Sequence, residues 1–243
     1  MSKQELAILF SGSIDSLALY ALSAVGRHPD ISRPRKIHLL CMQNGALRFR
    51  AFPFERFKTA EKILKAQAPS TEPVPESSFV ELDTVRLFQG LWLDQCEELM
   101  PQYNDKNLVC TACLLAMHTR AVIYCVERLV PLLIAGISGK QSCCPRKTEI
   151  FITKIMAFSS GFGITTRFPV DSDFDDDMVI KHLLEDYGLP SDNGGESKCL
   201  FEQTHTLATE KEIGSYLDAM LPHLNKYVES RLEGKIRDAA ECF

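Results

Sequence analysis

The chain opens on Leu6-Ala7-Ile8-Leu9-Phe10, five apolar positions with no polar alternation. A strand that is apolar throughout must be covered on both faces, so this run predicts a buried strand of a parallel sheet. Beyond the polar turn Ser11-Gly12-Ser13 the period changes. Ile14, Leu17, Ala18, Ala21 and Val25 recur at helical spacing, and Gly26 stands where that helix can end. Ile37 to Met42 reads as a second strand, Phe54 to Ala66 as a second helix and Phe79 to Leu82 as a third strand. The intervening stretch Ala68 to Ser78 holds three prolines and reads as a loop. Farther on, Leu114, Met117, Ala121 and Cys125 mark a helix, and the apolar run Leu132 to Ala135 closes at Gly136. A helix over Thr148 to Ser159 and a brief strand near Thr166 to Pro169 complete the alternation.

Strands that alternate with helices, and that are apolar along their length, imply an α/β fold: a doubly wound, mostly parallel sheet with helices on both faces. Past Asp171 no strand pattern remains. Asp175 to Tyr187 and Thr209 to Leu232 read as helices around a loop rich in Ser, Asn and Gly. The expected organisation is therefore a sheet domain over residues 1–170 and a helical C-terminal segment over 171–243, as an appendage or a lid.

Composition narrows the class. The chain has 243 residues, 45% of them hydrophobic and 24% charged, enough for one sizeable core. No apolar stretch approaches the roughly 18 residues a membrane span needs, and Met1 to Leu6 lack the pattern of a secretory leader. Nine cysteines, an odd number, argue against a disulfide framework and for a reducing compartment, so the expected location is the cytoplasm. The net charge of −5 argues against broad, non-specific binding to nucleic-acid phosphates.

The turn Ser11-Gly12-Ser13-Ile14-Asp15-Ser16 carries the most chemistry. A buried strand delivers the chain to small residues and a helix begins at once. Small side chains let backbone N–H groups converge on an anion, and the helix N-terminus adds its partial positive charge. The hydroxyls of Ser11, Ser13 and Ser16 can donate further. Asp15 fits beside a phosphate when Mg²⁺ lies between them. The same residues also suit a plain N-cap. Their place after the first strand of an α/β chain, where ligands bind, favours the phosphate reading.

The segment Phe10 to Ser16 resembles the Ser-Gly-Gly-x-Asp-Ser signature of PP-loop ATP pyrophosphatases, matching at Ser11, Gly12, Asp15 and Ser16 with Ser13 in place of the second glycine. The resemblance spans residues 5 to about 170. It implies that Ser11, Gly12, Ser13, Ile14, Asp15, Ser16 and Gly136 bind ATP, and that a substrate attacks the α-phosphate to become an adenylate while pyrophosphate leaves. Gly136-Ile137-Ser138-Gly139-Lys140-Gln141-Ser142 looks like the second phosphate-contacting loop, with Lys140 neutralising the phosphates, and the resemblance makes Asp15, Ser16 and Lys140 the catalytic residues. Met42-Gln43-Asn44 stands where that family recognises adenosine.

Cys110-Thr111-Ala112-Cys113 opens a helix, and two thiolates at this spacing can hold one metal. Cys199 offers a third soft ligand, and Cys143-Cys144 a fourth or a reactive pair. Cys41, Cys96, Cys125 and Cys242 have no partner spacing and read as small hydrophobes or a tail residue. Four thiolates would close around Zn²⁺. Three around an iron–sulfur cluster leave one iron open. The resemblance to sulfur-inserting PP-loop enzymes, which use three cysteines with two in a Cys-x-x-Cys, implies an iron–sulfur cluster on Cys110, Cys113 and Cys199, a sulfur donor, and a small-molecule or tRNA acceptor. A homodimer is compatible with this. The alternatives are an amide- or nitrile-forming synthase of the 7-cyano-7-deazaguanine type with structural zinc, or an adenine-nucleotide-binding regulator without turnover. The acidic run Asp171, Asp173, Asp175, Asp176 and Asp177 suits a helix start or a Mg²⁺ site, and His118 and Arg120 follow the cysteine pair on one helix. Trp92, with Leu91 and Leu93, reads as core or lid packing.

Overall fold

In the computed structural model of the chain, the described residues are 4–28, 31–46, 51–69, 71–136, 148–169, 177–192, 199–201 and 208–234. Five strands form one parallel sheet: β1 (Glu5–Leu9), β2 (Lys36–Gln43), β3 (Glu76–Asp83), β4 (Leu132–Ala135) and β5 (Thr165–Arg167), in the spatial order β3-β2-β1-β4-β5. The helices between them are α1 (Ile14–Val25), α2 (Phe52–Gln67), α3 (Val85–Leu91), α4 (Cys96–Leu99), α5 (Val109–Arg128) and α6 (Glu149–Gly161), followed by α7 (Asp177–Asp186) and α8 (Glu210–Leu232). The order runs outward from β1 to β3, then jumps back across β1 to β4. That reversal opens a crevice at the carboxyl ends of β1 and β4, the expected ligand position in a doubly wound sheet.

The central strands form where they do because they are buried on both faces. Ala7 and Ile8 of β1, Leu39 and Leu40 of β2, and Leu133 and Ile134 of β4 are all 0% exposed. Register is in phase from Leu6↔Ile37 and Leu6↔Leu132 onward, so β1 is paired on both edges. One face packs Leu6, Ile8, Ile37 and Leu39 under α1, α2 and α7, through Leu17, Tyr20, Phe57, Leu64, Ile180 and Leu184. The opposite face packs Ala7, Leu40, Met42 and Leu133 under α5, through Ala121, Tyr124 and Cys125. Beyond α5, a third cluster joins α3, α5, α6 and α8, with Trp92 edge-on to Tyr216 at 5.8 Å between ring centres.

The structure differs from the sequence expectation at particular places. β3 begins at Glu76, inside the stretch read as a proline loop, and pairs with β2 over eight residues from Lys36↔Glu76 to Gln43↔Asp83. β5 covers Thr165–Arg167 rather than Thr166 to Pro169. The helices α3 and α4 carry no expected counterpart. α7 and α8 each seat on the sheet's helical layers, α7 against α1 and α8 against α5 and α6. The expected boundary near residue 170 lies outside the described residues. α5 is long and apolar enough to cross a membrane, yet 67% of its most apolar window is buried inside the fold.

α8 starts with a capping box. The Glu212 carboxylate accepts from the Thr209 backbone N–H at 2.7 Å and from the Thr209 hydroxyl, while Asn104 Nδ2 donates to it at 2.9 Å. These bonds hold the Glu212 pKa well below its usual 4.5, at about 2, with the Thr209 hydroxyl the largest cause and Asn104 next. A depressed carboxylate stabilises the folded state above its unfolded pKa and loses that effect as the pH falls through the folded value. Glu212→Gln should therefore lower the melting temperature by a constant amount above about pH 5. The gap between the two proteins should close as the pH falls from about 4.5 towards 2. Thermal melts across that range check this, and a gap that does not narrow on acidification would contradict it.

Candidate functional site

β1 hands the chain to the turn at Phe10, whose N–H still donates to Leu40 O of β2 at 2.9 Å. Gly12 then adopts φ +79°, the left-handed region that favours glycine. A β-carbon there would lie 3.0 Å from Pro53 Cα and 3.3 Å from the Phe52 ring. The turn is thus pressed against the first turn of α2. Ser13 is extended, at φ −64° and ψ 163°, and its carbonyl accepts the first α1 bond from Leu17 N at 2.9 Å.

The serines of this turn do not cap α1. No side chain makes an N-cap bond there. The hydroxyls bond to one another instead: Ser11 Oγ donates to Ser13 Oγ at 3.0 Å, Ser13 N donates to Ser11 Oγ at 3.3 Å, and Ser16 Oγ donates to Ser13 O at 3.1 Å. Ser13 Oγ and Ser16 Oγ are 3.4 Å apart. Ser11 is exposed, Ser13 and Asp15 are half-buried, and Ser16 is only 3% exposed. Ser16 therefore fastens the loop from below, with Ser11 and Ser13 on its outer side. A capping role alone would have left a different pattern, with a serine oxygen accepting from an α1 N–H.

Gly136, at the end of β4, closes the other flank. A β-carbon on it would sit 3.2 Å from Asp15 Cβ and 3.3 Å from Ser16 N. The two strands on either side of the switch point thus bring Gly136 against Asp15 and Ser16. The remainder of that second loop, Ile137 to Ser142 with Lys140, lies outside the described residues, as do Cys143 and Cys144. Asp171, Asp173, Asp175 and Asp176, and the side chain of Asp177, also lie outside them.

The cysteine pair sits at the same end of the sheet. α5 runs antiparallel to the strands, so its first turn, with Cys110 and Cys113, lies near the carboxyl end of β2. Asn44 Nδ2 donates to Cys113 Sγ at 3.2 Å. Cys199 reaches this place by main-chain pairing, since Leu200 N donates to Ala46 O at 2.9 Å. Cys199 Sγ accepts from Phe201 N at 3.4 Å, and Phe201 packs edge-on to Phe88 at 6.0 Å. Burial pushes the Cys113 thiol up to about 12, the Asn44 amide opposes this, and Cys199 and Cys110 add to the rise. None of the three is in a disulfide, and all three are partly exposed. Among the described residues no three His, Cys, Asp or Glu side chains are already gathered as a metal cage. The three thiols share one end of the sheet without being closed around one point.

The other cysteines and the histidine are placed otherwise. Cys41 and Cys125 are buried and pushed up to about 12 by desolvation, inert fillers beside the sheet. Cys96 is half-buried against the α3–α5–α8 cluster. Cys242 lies outside the described residues. His118 is buried between Phe151 and Phe168, and burial lowers it to about 4, so it is a neutral core residue and not part of the cysteine site. Trp92, 2% exposed, is core packing.

The segment Met42-Gln43-Asn44, expected near adenosine, lies at the end of β2, and Asn44 turns inward. It is 4% exposed, its Oδ1 accepts from Ala46 N at 3.0 Å, and its Nδ2 serves Cys113. Its neighbour Gln43 donates to Glu81 Oε1 at 3.0 Å on the adjacent strand. Nothing in the hydrophobic pattern distinguishes a buried asparagine at a strand end from an exposed one.

No family model matches the chain, and no curated protein matches it. Similar solved structures include the U34-tRNA thiolase NcsA from Methanococcus maripaludis with its 4Fe-4S cluster. It is 14% identical, with a TM-score of 0.47, over 98% of this chain and 75% of that one. An NAD+ synthetase from Burkholderia pseudomallei is also 14% identical, with a TM-score of 0.43, over 97% of this chain and 83% of that one. At these values neither likeness bears on the chemistry of the site.

Proposed function

We propose that the chain is an ATP pyrophosphatase of the PP-loop type, which activates a substrate oxygen by adenylation for sulfur transfer at the three cysteines. The observation that carries this is the Ser11–Ser16 turn at the switch point, pressed between Pro53 on one side and Gly136 on the other. In this reading the backbone N–H groups of the turn and the hydroxyls of Ser11 and Ser13 hold the β- and γ-phosphates. A carbonyl or carboxylate oxygen of the acceptor attacks the α-phosphorus. The bond from that phosphorus to the α–β bridging oxygen breaks, and pyrophosphate departs with the electron pair into the N–H cradle. Asp15 would hold Mg²⁺, because a carboxylate beside a phosphate cradle otherwise repels its ligand. Lys140 would add positive charge from the second loop.

Cys110, Cys113 and Cys199 would hold an iron–sulfur cluster, and their soft donors suit iron. Such a cluster, held by three thiolates, would supply an open iron able to take sulfide. The partial exposure of all three cysteines favours such an open site over a closed structural zinc. The acceptor is a small molecule or a tRNA, and the location is cytoplasmic. The test is the nucleotide product. Protein purified without oxygen, given ATP, Mg²⁺, sulfide and either a tRNA pool or a small-molecule extract, should form AMP and pyrophosphate in equal amounts. ADP and phosphate as the products would overturn the reading.

A further inference from the structure

We propose that Asn44 is the positioning residue of the cysteine site, holding Cys113 and the Cys199 segment together at the end of β2 before any metal arrives. This rests on the three-cysteine reading of the proposed function. It adds to that reading a residue outside the thiols, and one whose role can be tested without metal.

Three bonds carry it. Asn44 Nδ2 donates to Cys113 Sγ at 3.2 Å. Asn44 Oδ1 accepts from Ala46 N at 3.0 Å, which folds residues 44–46 into a tight turn through Gly45 at φ +76°. Ala46 O then accepts from Leu200 N at 2.9 Å, which seats Cys199 beside that turn. One amide thus links the first turn of α5 to a segment more than eighty positions away in sequence. The carboxyl end of β2, which carries the clamp, adjoins β1 and its phosphate loop, since β1 and β2 pair along their length.

The choice of residue follows from chemistry. A buried amide needs partners at both ends, and a main-chain N–H and a sulfur supply them. Groups that orient metal ligands in this way typically change metal affinity about 10–100-fold when removed. An asparagine with its acceptor committed inside the protein is also poorly placed to read the edge of a base.

The experiment uses the full chain, reduced and metal-free. It is treated with a dibromobimane, which becomes fluorescent only after two neighbouring thiols have displaced both bromides. Mass spectrometry of the peptides then identifies the bridged pair. The wild type should give a Cys113–Cys199 bridge. Asn44→Ala should lose most of that yield. So should Asn44→Asp, which keeps the acceptor for Ala46 N but replaces the donor to sulfur with a charged oxygen. Asn44→Ala should also bind Zn²⁺ at least about tenfold more weakly in competition with a chelator. A wild-type yield of the bridge in Asn44→Asp would overturn the proposal, and so would the absence of that bridge in the wild type. If bridging depends on Asn44 but the wild type takes up neither zinc nor iron, the positioning role holds and the metal reading of the proposed function fails.

Discussion

Gly12→Ala is expected to lower ATP cleavage by about 10²-fold or more, the scale of losing one preorganised backbone donor. The argument is steric and local. Gly12 sits at φ +79°, and an alanine there carries a conformational cost on the order of 1–3 kcal/mol. Its methyl would also lie 3.0 Å from Pro53 Cα, and that neighbour is backbone, which cannot swing aside as a side chain would. Relief requires either α2 or the loop to move, and the loop is the softer of the two. Its N–H groups would then no longer converge on one point. The melting temperature should fall modestly, because β1 and α1 on either side remain packed. Steady-state rates beside thermal melts separate the two effects. A variant that melts lower but cleaves ATP at the wild-type rate would contradict the placement of the phosphates.

The second large effect is expected at Asp15. Asp15→Ala should reduce cleavage on the order of 10³-fold, which corresponds to about 4 kcal/mol of transition-state stabilisation supplied through the metal. The fold should be retained, because Asp15 is only half-buried and α1 is held by the apolar residues of its buried face. Asp15→Asn should recover little, since a neutral amide is a weak ligand for Mg²⁺. Raising the Mg²⁺ concentration should partly rescue Asp15→Asn and leave Gly12→Ala unchanged. Equal responses of the two variants to Mg²⁺ would show that Asp15 acts on the loop and not on a metal.

The parts of the fold that were legible in sequence are those whose own residues decide them. α1 and β4 fall on the expected residues because an apolar period and an unbroken apolar run need no partner to be read. β3 was shortened to Phe79–Leu82 because it lies at the sheet edge. Its first residues, Glu76, Ser77 and Ser78, are polar, and pairing with β2 determines that they are extended. The short helix α3, Val85–Leu91, was missed because seven residues with Gly90 among them give too little periodicity. Within the site, the Ser11–Ser16 turn was legible because small residues between a strand and a helix have a direct steric meaning. The bond from Asn44 to Cys113 was not, because Cys113 is far from it in sequence. Main-chain pairing such as Ala46 with Leu200 leaves no trace in side-chain pattern.

The central claim is that the turn after β1 is the seat of the departing pyrophosphate. The measurement that addresses it most directly is a crystal structure of the full chain with Mg²⁺ and an ATP analogue bearing a methylene in place of the α–β bridging oxygen. The account predicts the β- and γ-phosphates within hydrogen-bond distance, about 2.7–3.2 Å, of backbone N–H groups between Gly12 and Ser16, with Mg²⁺ beside Asp15. A triphosphate bound elsewhere, or bound there with the α-phosphate in the turn and the γ-phosphate in solvent, would contradict it.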